Sequence, residues 1–378
     1  MSDTEQLRIV HCFRSPVGGI FRHVRDLVAA QHARGHAVGI VCDSSTGGEF
    51  EDRLFDAVRS KLELGLIRLP MRRTITPGDA VALVRTLKEI RRLRPDIVHG
   101  HGAKGGAYAR IIGSVLRVSG SRVARIYSPH GGSIHYDAAS LKGRLYFRLE
   151  RMLERLTDRL IFVSRYEADG YRDKVGAPRC PQTLAYNGLA PAEFEPVAEA
   201  PHAADFLYIG MMRDLKGPDL FLEALGKLDA QGRAVTAHFV GDGPDRQAYL
   251  QTIERLGLGS RVHPHDPMPA REAFAMARIV VVPSRAESMP YIVLEAIAAQ
   301  RPIIATHVGG IPEIFAGETD TLVKPDDASA LATAMASMLD ATDRTELAKR
   351  RRVALEARFS VARMAQDIET AYRDSRVH

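Results

Sequence analysis

Two glutamates, Glu287 and Glu295, stand in the segment Val281–Ala299, VVPSRAESMPYIVLEAIAA. A β-branched run ends at Pro283-Ser284-Arg285, a loop carries Glu287, and Pro290 opens a helix. Proline suits a first helical turn, where its missing N–H would be unpaired anyway. Inside that helix Glu295 is flanked by Ile292, Val293, Leu294, Ala296, Ile297 and Ala298. A carboxylate buried in such company costs about several kcal/mol unless something pairs with it. Either Glu295 faces a polar ligand or it marks the helix's one exposed stripe, and the apolar faces all round favour the ligand. Five helical residues rise roughly 8 Å, which suits two ends of one extended polar molecule. Backbone N–H groups at the helix start would face an anion lying between the two carboxylates.

Four other constellations could do chemistry. His99-Gly100-His101 ends a strand with two imidazoles on one face, and His130 follows a strand ending at Ser128. No cysteine or carboxylate completes that set, so no metal site is expected. Lys104-Gly105-Gly106 opens the next helix and could receive a phosphate, or be a plain helix start. Gly241-Asp242-Gly243 begins a G-x-G-x-x-G pattern, but Arg246 stands where the third glycine belongs, which disfavours a dinucleotide-binding dehydrogenase. Arg144, Arg148, Arg151, Arg155 and Arg159 recur at steps of three and four, one stripe of a helix. That stripe is either a solvated face paired locally with Glu150 and Glu154, or a docking face for anionic lipid headgroups.

These residues need a scaffold, and the pattern supplies one. Short β-branched runs alternate with amphipathic stretches, the mark of β-α-β units and a parallel sheet. Strands are expected near Leu7–Phe13, Val38–Cys42, Leu66–Leu69, Ile97–His99, Arg122–Ser128 and Leu160–Val163. Helices fall at about Gly19–Arg34, Pro77–Leu93, Lys104–Leu116 and Leu141–Leu156. The alternation breaks over residues 189–204, LAPAEFEPVAEAPHAA, which read as a linker. It restarts with Phe206–Ile209, Thr236–Val240, Val262–His263, Ile279–Val282 and Ile303–Ala305, then turns helical from Ala328 to a last helix near Val361–Arg376. The expected architecture is α/β: two doubly wound Rossmann-like domains, 1–188 and 205–360, facing each other across a cleft. A C-terminal helix, 361–378, could cross back to the first. Ligands of such sheets bind beyond the carboxyl ends of the strands.

Composition narrows the class. With 378 residues, 45% hydrophobic and 26% charged, the chain suits two globular domains of roughly 180 residues and excludes wholesale disorder. No run approaches the roughly 18 apolar residues of a membrane-spanning helix. The start, MSDTEQLRIV, lacks a basic end and an apolar core, so a cytoplasmic protein is expected. Cys12, Cys42 and Cys180 give no disulfide framework. Residues 1–188 carry 31 Lys+Arg against 19 Asp+Glu, net +12, and the remainder is net −6. The basic half should meet something anionic, a phosphorylated substrate or the inner face of a membrane. With 6% aromatic residues and no recognisable module, nucleic acid is not the expected partner.

Glu287-x7-Glu295, followed by Arg301-Pro302-Ile303-Ile304-Ala305 and Gly309-Gly310-Ile311-Pro312-Glu313, resembles the donor site of the retaining family 4 glycosyltransferases (glycosyl transferases group 1), enzymes of the GT-B fold. The likeness runs along the chain through Gly18-Gly19, Arg34-Gly35-His36, His130-Gly131, Val163-Ser164, Asn187-Gly188, Gly210 to Lys216-Gly217, and Gly241-Asp242-Gly243-Pro244. It implies transfer, with retention, of a sugar from a nucleotide-sugar donor to a lipid-linked or cell-surface glycan precursor. No cofactor and no metal would be needed, the nucleotide sugar being substrate. Arg213 and Lys216 would neutralise the leaving diphosphate, where negative charge develops in the transition state. Many relatives place the arginine directly after the glycine, whereas Met211-Met212 intervene here. Glu287 would contact the donor sugar, Glu295 the ribose diol, and His130 the sugar near its anomeric carbon. Gly18, Gly19, Gly210, Gly241, Gly243, Ser288, Met289 and Pro290 would line the donor. His99, His101, Lys104, Arg144, Arg148 and Arg155 fall to the acceptor or membrane side. A nucleotide-sugar 2-epimerase or a sugar phosphorylase of like architecture is the alternative enzyme, and a catalytically silent partner subunit the non-enzyme one.

Overall fold

The structure is a computed structural model that describes residues 5–72 and 78–376. It divides into two compact units. The first comprises residues up to Gly188 together with those from Val361 onward, and the second is Leu189–Ser360. The first unit is built on seven strands: β1 (Arg8–Phe13), β2 (Ala37–Asp43), β3 (Gly65–Leu69), β4 (Ile97–His101), β5 (Ala124–Ser128), β6 (Arg159–Phe162) and β7 (Gln182–Leu184). Their order is β3-β2-β1-β4-β5-β6-β7, parallel throughout. The second holds β8 (Ala204–Ile209), β9 (Ala237–Val240), β10 (Val262–His265), β11 (Ala277–Val282) and β12 (Ile303–Ala305), in parallel order β10-β9-β8-β11-β12. Each strand order reverses once, at β1/β4 and at β8/β11, and a crevice outside the carboxyl ends follows from that reversal.

Sheets covered on both faces need strands apolar on both faces, which is why β2, AVGIVCD, is buried at all seven positions. The helix Gly19–Ala33 keeps Phe21, His23, Val24, Leu27, Val28 and Gln31 inward. Two polar groups therefore ride on an otherwise apolar face, and both are used below. The helix Val361–Asp374 returns to the first unit. It lays Met364, Ala365, Ile368, Ala371 and Tyr372 against Leu7, Ile9, Ile97, Ile126 and Ile161. The helix expected over Pro77–Leu93 runs Gly78–Leu93, with Pro77 outside the described residues.

In the described part of the first unit the pattern named neither the helices Glu49–Arg59 and Arg165–Lys174 nor the strand β7. The stripe of five arginines also needs correction. The helix expected to reach Leu156 ends at Leu153 and tightens into a 3-10 turn, Glu154–Leu156. Arg159 falls in β6, bonded to Thr183 and Ser375, and Arg151 is tied to Glu154 and the Ala177 carbonyl. Glu150 does not pair with the stripe. It turns inward to Arg110 at 2.9 Å, Tyr127 at 2.8 Å and Ser133 at 2.9 Å. What stays exposed is Arg144, Arg148 and Arg155 beside Leu141, Leu145 and Met152.

Candidate functional site

In the second unit the carboxyl ends of the strands converge on one ion pair. Glu287, buried in the loop after β11, accepts from Lys216 Nζ at 2.6 Å and from Ser284 Oγ at 2.7 Å, both through Oε1. Lys216 ends a 3-10 turn, Asp214–Lys216, at the foot of the helix Pro218–Ala230. Arg285 clamps that turn. It donates to the Asp214 carbonyl at 2.7 Å, to both Asp219 oxygens at 2.8 and 2.5 Å, and to Asp326 at 2.5 Å. The hydrogen bond to Asp219, working against partial burial, raises the Arg285 guanidinium above its ordinary value. Burial alone would raise Asp219, but the Arg285 contacts win and hold it below the carboxylate range. Two glycines let these loops meet. A Cβ on Gly309 would overlap the Glu287 carbonyl, and one on Gly217 the Pro283 carbonyl, and both residues have positive φ, +57° and +64°.

Of the remaining donor-side residues, Gly18 and Gly19 belong to the first unit, and the others lie in the strand-end loops and the following helix of the second. Gly210 follows β8 and hydrogen-bonds to Val240 at 3.1 Å, and Met212 to the Asp242 carbonyl at 2.8 Å, joining the Gly210 loop to that of Gly241 and Gly243. Arg213 opens the turn that Lys216 closes, and its Nε is buried with no hydrogen-bond partner among the described residues. Met289 and Pro290 are buried and Ser288 half-buried. Pro290 caps the helix Tyr291–Ala298 from outside rather than opening it. Glu295 is not the buried carboxylate expected. Its position is half-buried, and with Ile292 it forms the one strip of that helix left partly open.

In the first unit, five imidazoles gather behind the carboxyl ends of β1, β4 and β5. Parallel pairing sets His11 opposite His99 and Phe13 opposite His101. A hydrogen-bonded chain then runs from the Gly19–Ala33 helix outward. Gln31 Oε1 lies 2.9 Å from His11 Nε2, His11 Nδ1 3.0 Å from His101 Nε2, and His101 Nδ1 2.9 Å from His130 Nε2. Gln31 turns its amide nitrogen to Tyr372 Oη at 3.4 Å, so its oxygen faces His11. An oxygen can only accept, which assigns the N–H to Nε2 of His11, then of His101, then of His130. His130 is thereby left with Nδ1 as a bare acceptor. Burial keeps the chain neutral: His11 is lowered to about 4, and His99, His101 and His130 well below the ordinary imidazole value. His130 sits in the left-handed region at φ +50°, and its loop is held by the Gly131 N–H donating to the buried Glu167 carboxylate.

The acceptor-side expectations divide. His99 is fully buried between Tyr372 Oη at 2.7 Å and Ser128 Oγ at 2.8 Å, so it faces no acceptor. Lys104 is largely buried against Asp79 at 2.6 Å, with a further bond to the Arg72 carbonyl, so its charge is neutralised within the protein. Gly18, expected on the donor side, takes φ +74° at the head of the Gly19–Ala33 helix, but a Cβ there would meet nothing within 4 Å, so no close protein approach demands the glycine. His11, His23, Gln31, Glu167, Ser284, Arg285 and Asp219 were missed by sequence reasoning. The strand order and the inward face of the first helix are the signals that point to His11, His23 and Gln31.

Residues 17–193 match the family model described as Glycosyltransferase Family 4, and residues 203–341 the one described as Glycosyl transferases group 1. The glycogen synthase of Mycobacterium tuberculosis is 26% identical over 345 residues, covering 86% of this chain and 83% of that protein. The alpha-D-kanosaminyltransferase of Streptomyces kanamyceticus is 26% identical over 327 residues, covering 79% and 82%. Among solved structures, Anabaena HepE in complex with UDP and glucose superposes with TM-score 0.79 at 18% identity, covering 97% of this chain and all of that one. The sucrose-phosphate synthase of Thermosynechococcus elongatus gives TM-score 0.78 at 20% identity, covering 98% and 99%. Two parallel doubly wound sheets, two tandem matches to glycosyltransferase models and full-length likeness to these enzymes identify the chain as a glycosyltransferase of the GT-B fold.

Proposed function

We propose that the protein transfers a sugar from a nucleotide-sugar donor, with retention of anomeric configuration and without a catalytic metal, to a lipid-linked or cell-surface glycan precursor. The observation that carries this reading is the Lys216–Glu287 pair at 2.6 Å, held in a loop clamp at the strand ends. A lysine shared with a carboxylate can turn its remaining N–H donors to a diphosphate, while Glu287 keeps a second oxygen for sugar hydroxyls. Arg213, whose Nε lacks a hydrogen-bond partner among the described residues, supplies the second cation. Cations aimed at the leaving diphosphate act where charge develops, and they do there what a metal would. Glu295, on the open strip of its helix, is assigned to the ribose, and His130 Nδ1 to a sugar hydroxyl. That HepE was solved with UDP and glucose supports a uridine diphosphate sugar as the first donor to try.

The acceptor is proposed to be presented at the inner face of the plasma membrane. Among the described residues no helix is long and apolar enough to cross a bilayer. The exposed Arg144, Arg148 and Arg155, beside Leu141 at 83%, Leu145 at 55% and Met152 at 57% exposure, suit a peripheral contact.

A panel of nucleotide sugars, scored by slow donor hydrolysis and by thermal stabilisation, tests the reading, and proton NMR of the transferred sugar tests retention. Activity should persist in excess EDTA. Loss on chelation, restored by Mg²⁺ or Mn²⁺, would overturn the assignment of Arg213 and Lys216.

A further inference from the structure

We propose that His23, His101 and His130 form a binding site for one divalent transition-metal ion of the zinc class. Each offers a ring nitrogen, and the three nitrogens lie within 4.8 Å of one another. The triad His11, His99 and His101 meets the same spacing. There, however, every ring nitrogen of His11 and His99 already has a partner: Gln31 and His101 for the first, Tyr372 and Ser128 for the second.

His23 is different. Its side chain is buried, and Nε2 has no hydrogen-bond partner among the described residues. Its other nitrogen, Nδ1, lies 3.0 Å from Asn187 Oδ1 and donates to it. An imidazole that gives one N–H to a carbonyl oxygen and turns its other lone pair inward is arranged as metal-bound histidines are. That ring meets His130 edge-on at 4.7 Å between centroids and His101 at 5.6 Å. Between His101 Nδ1 and His130 Nε2 the separation is 2.9 Å, spanned by one proton. An ion about 2.0 Å from each nitrogen in tetrahedral geometry would hold them roughly 3.3 Å apart. Replacing the proton therefore asks for an opening of a few tenths of an ångström, with His130 moving its N–H to Nδ1. His130 is only partly buried, which leaves a way in and a fourth position for water. Three imidazole donors suit Zn²⁺, Cu²⁺ or Ni²⁺ and not Mg²⁺ or Ca²⁺, which take oxygen ligands.

The consequence for catalysis rests on the reading of His130 as a group acting on the donor sugar. An ion here withdraws that ring, so zinc inhibits and a chelator restores activity.

The test uses the full chain, stripped with chelator and titrated with ZnCl₂ by calorimetry in excess Mg²⁺. One equivalent should bind, and His23→Gln should lose at least tenfold in affinity while its metal-free melting curve overlays that of wild type. His238→Gln/His265→Gln removes a second histidine pair, 2.8 Å apart in the other unit, and should leave the one equivalent in place. Wild-type protein loaded with Co²⁺ should show the intense visible bands of a four-coordinate nitrogen site, a readout that needs no variant to fold. Zinc uptake unchanged in His23→Gln, uptake lost in the His238/His265 variant, or an octahedral Co²⁺ spectrum would overturn the site. None of these readouts involves sugar transfer, so the site and the proposed function fail separately.

Discussion

Glu287 and Lys216 carry most of the donor-side argument. Glu287→Gln keeps shape and loses charge, and Lys216→Ala removes the cation while Ser284 still bonds the carboxylate. Each should lower kcat/KM by about 100-fold or more, on the order of 3 kcal/mol of transition-state stabilisation, with circular dichroism unchanged. Either variant retaining most of its kcat/KM removes that residue from the site. The histidines make a second prediction, for protein kept in chelator. Burial lowers His23 to about 3 and His11 to about 4, and pushes His99, His101 and His130 well down. Below about 6.5 the unfolded chain takes up protons that the folded unit refuses, so stability is full above that value and falls as pH drops toward 4. The slope is at most about 1.4 kcal/mol per pH unit for each histidine. Urea midpoints at pH 7, 6 and 5 should decline in that order, and a flat series would mean the cluster is hydrated and freely protonated. Residue types were legible in the sequence where neighbours in the chain are neighbours in space, as around Glu287. His11 and His101 lie 90 positions apart, and only the pairing of β1 with β4 joins them.

Elements were legible where burial imposes a period. Central strands such as β2 and β11 are largely continuous apolar runs, and the helices that cover them show inward faces. The helix Arg165–Lys174 buries only Glu167 and Tyr171, so its polar sequence carries no apolar stripe to read. It is set instead by Ser164, whose hydroxyl caps the Glu167 amide at 3.1 Å. β7 has three residues at the sheet edge, too short for alternation to register. The helix Leu141–Leu153 shows the opposite failure: its basic period continued in the sequence beyond the point where Glu150 and Glu154 turn inward. Its exposed face gives an element-scale prediction. Wild type should co-sediment with anionic but not neutral vesicles, and charge reversal at Arg144, Arg148 and Arg155 should release it. Binding should also weaken as the Debye length falls from about 10 Å at 0.1 M salt to about 3 Å at 1 M. Equal binding to both vesicle types would favour a soluble acceptor.

At the scale of the molecule, the last helix belongs to the unit that the chain built first. Met364, Ile368 and Tyr372 are buried against strands β1, β4, β5 and β6, and removing three such side chains forfeits roughly 5 kcal/mol or more, comparable with the stability of a whole domain. A chain ended at Ser360 should therefore leave residues 5–188 open to limited proteolysis while Leu189–Ser360 resists; equal resistance of both would show the helix to be dispensable. Glu5 and Arg376 form an ion pair, so the described ends of the chain meet, and Leu189 pairs with Ser360 where the second unit is entered and left. The second unit is thus an insertion in the first, and this has a meaning during synthesis. As the nascent chain leaves the ribosome, Leu189–Ser360 is complete before the first unit has received its closing helix. The apolar face of Ile9, Ile97, Ile126 and Ile161 must wait uncovered through the translation of the whole inserted unit. That interval is when a chaperone would engage this chain, and slowing translation between the codons for residues 189 and 360 should lengthen it.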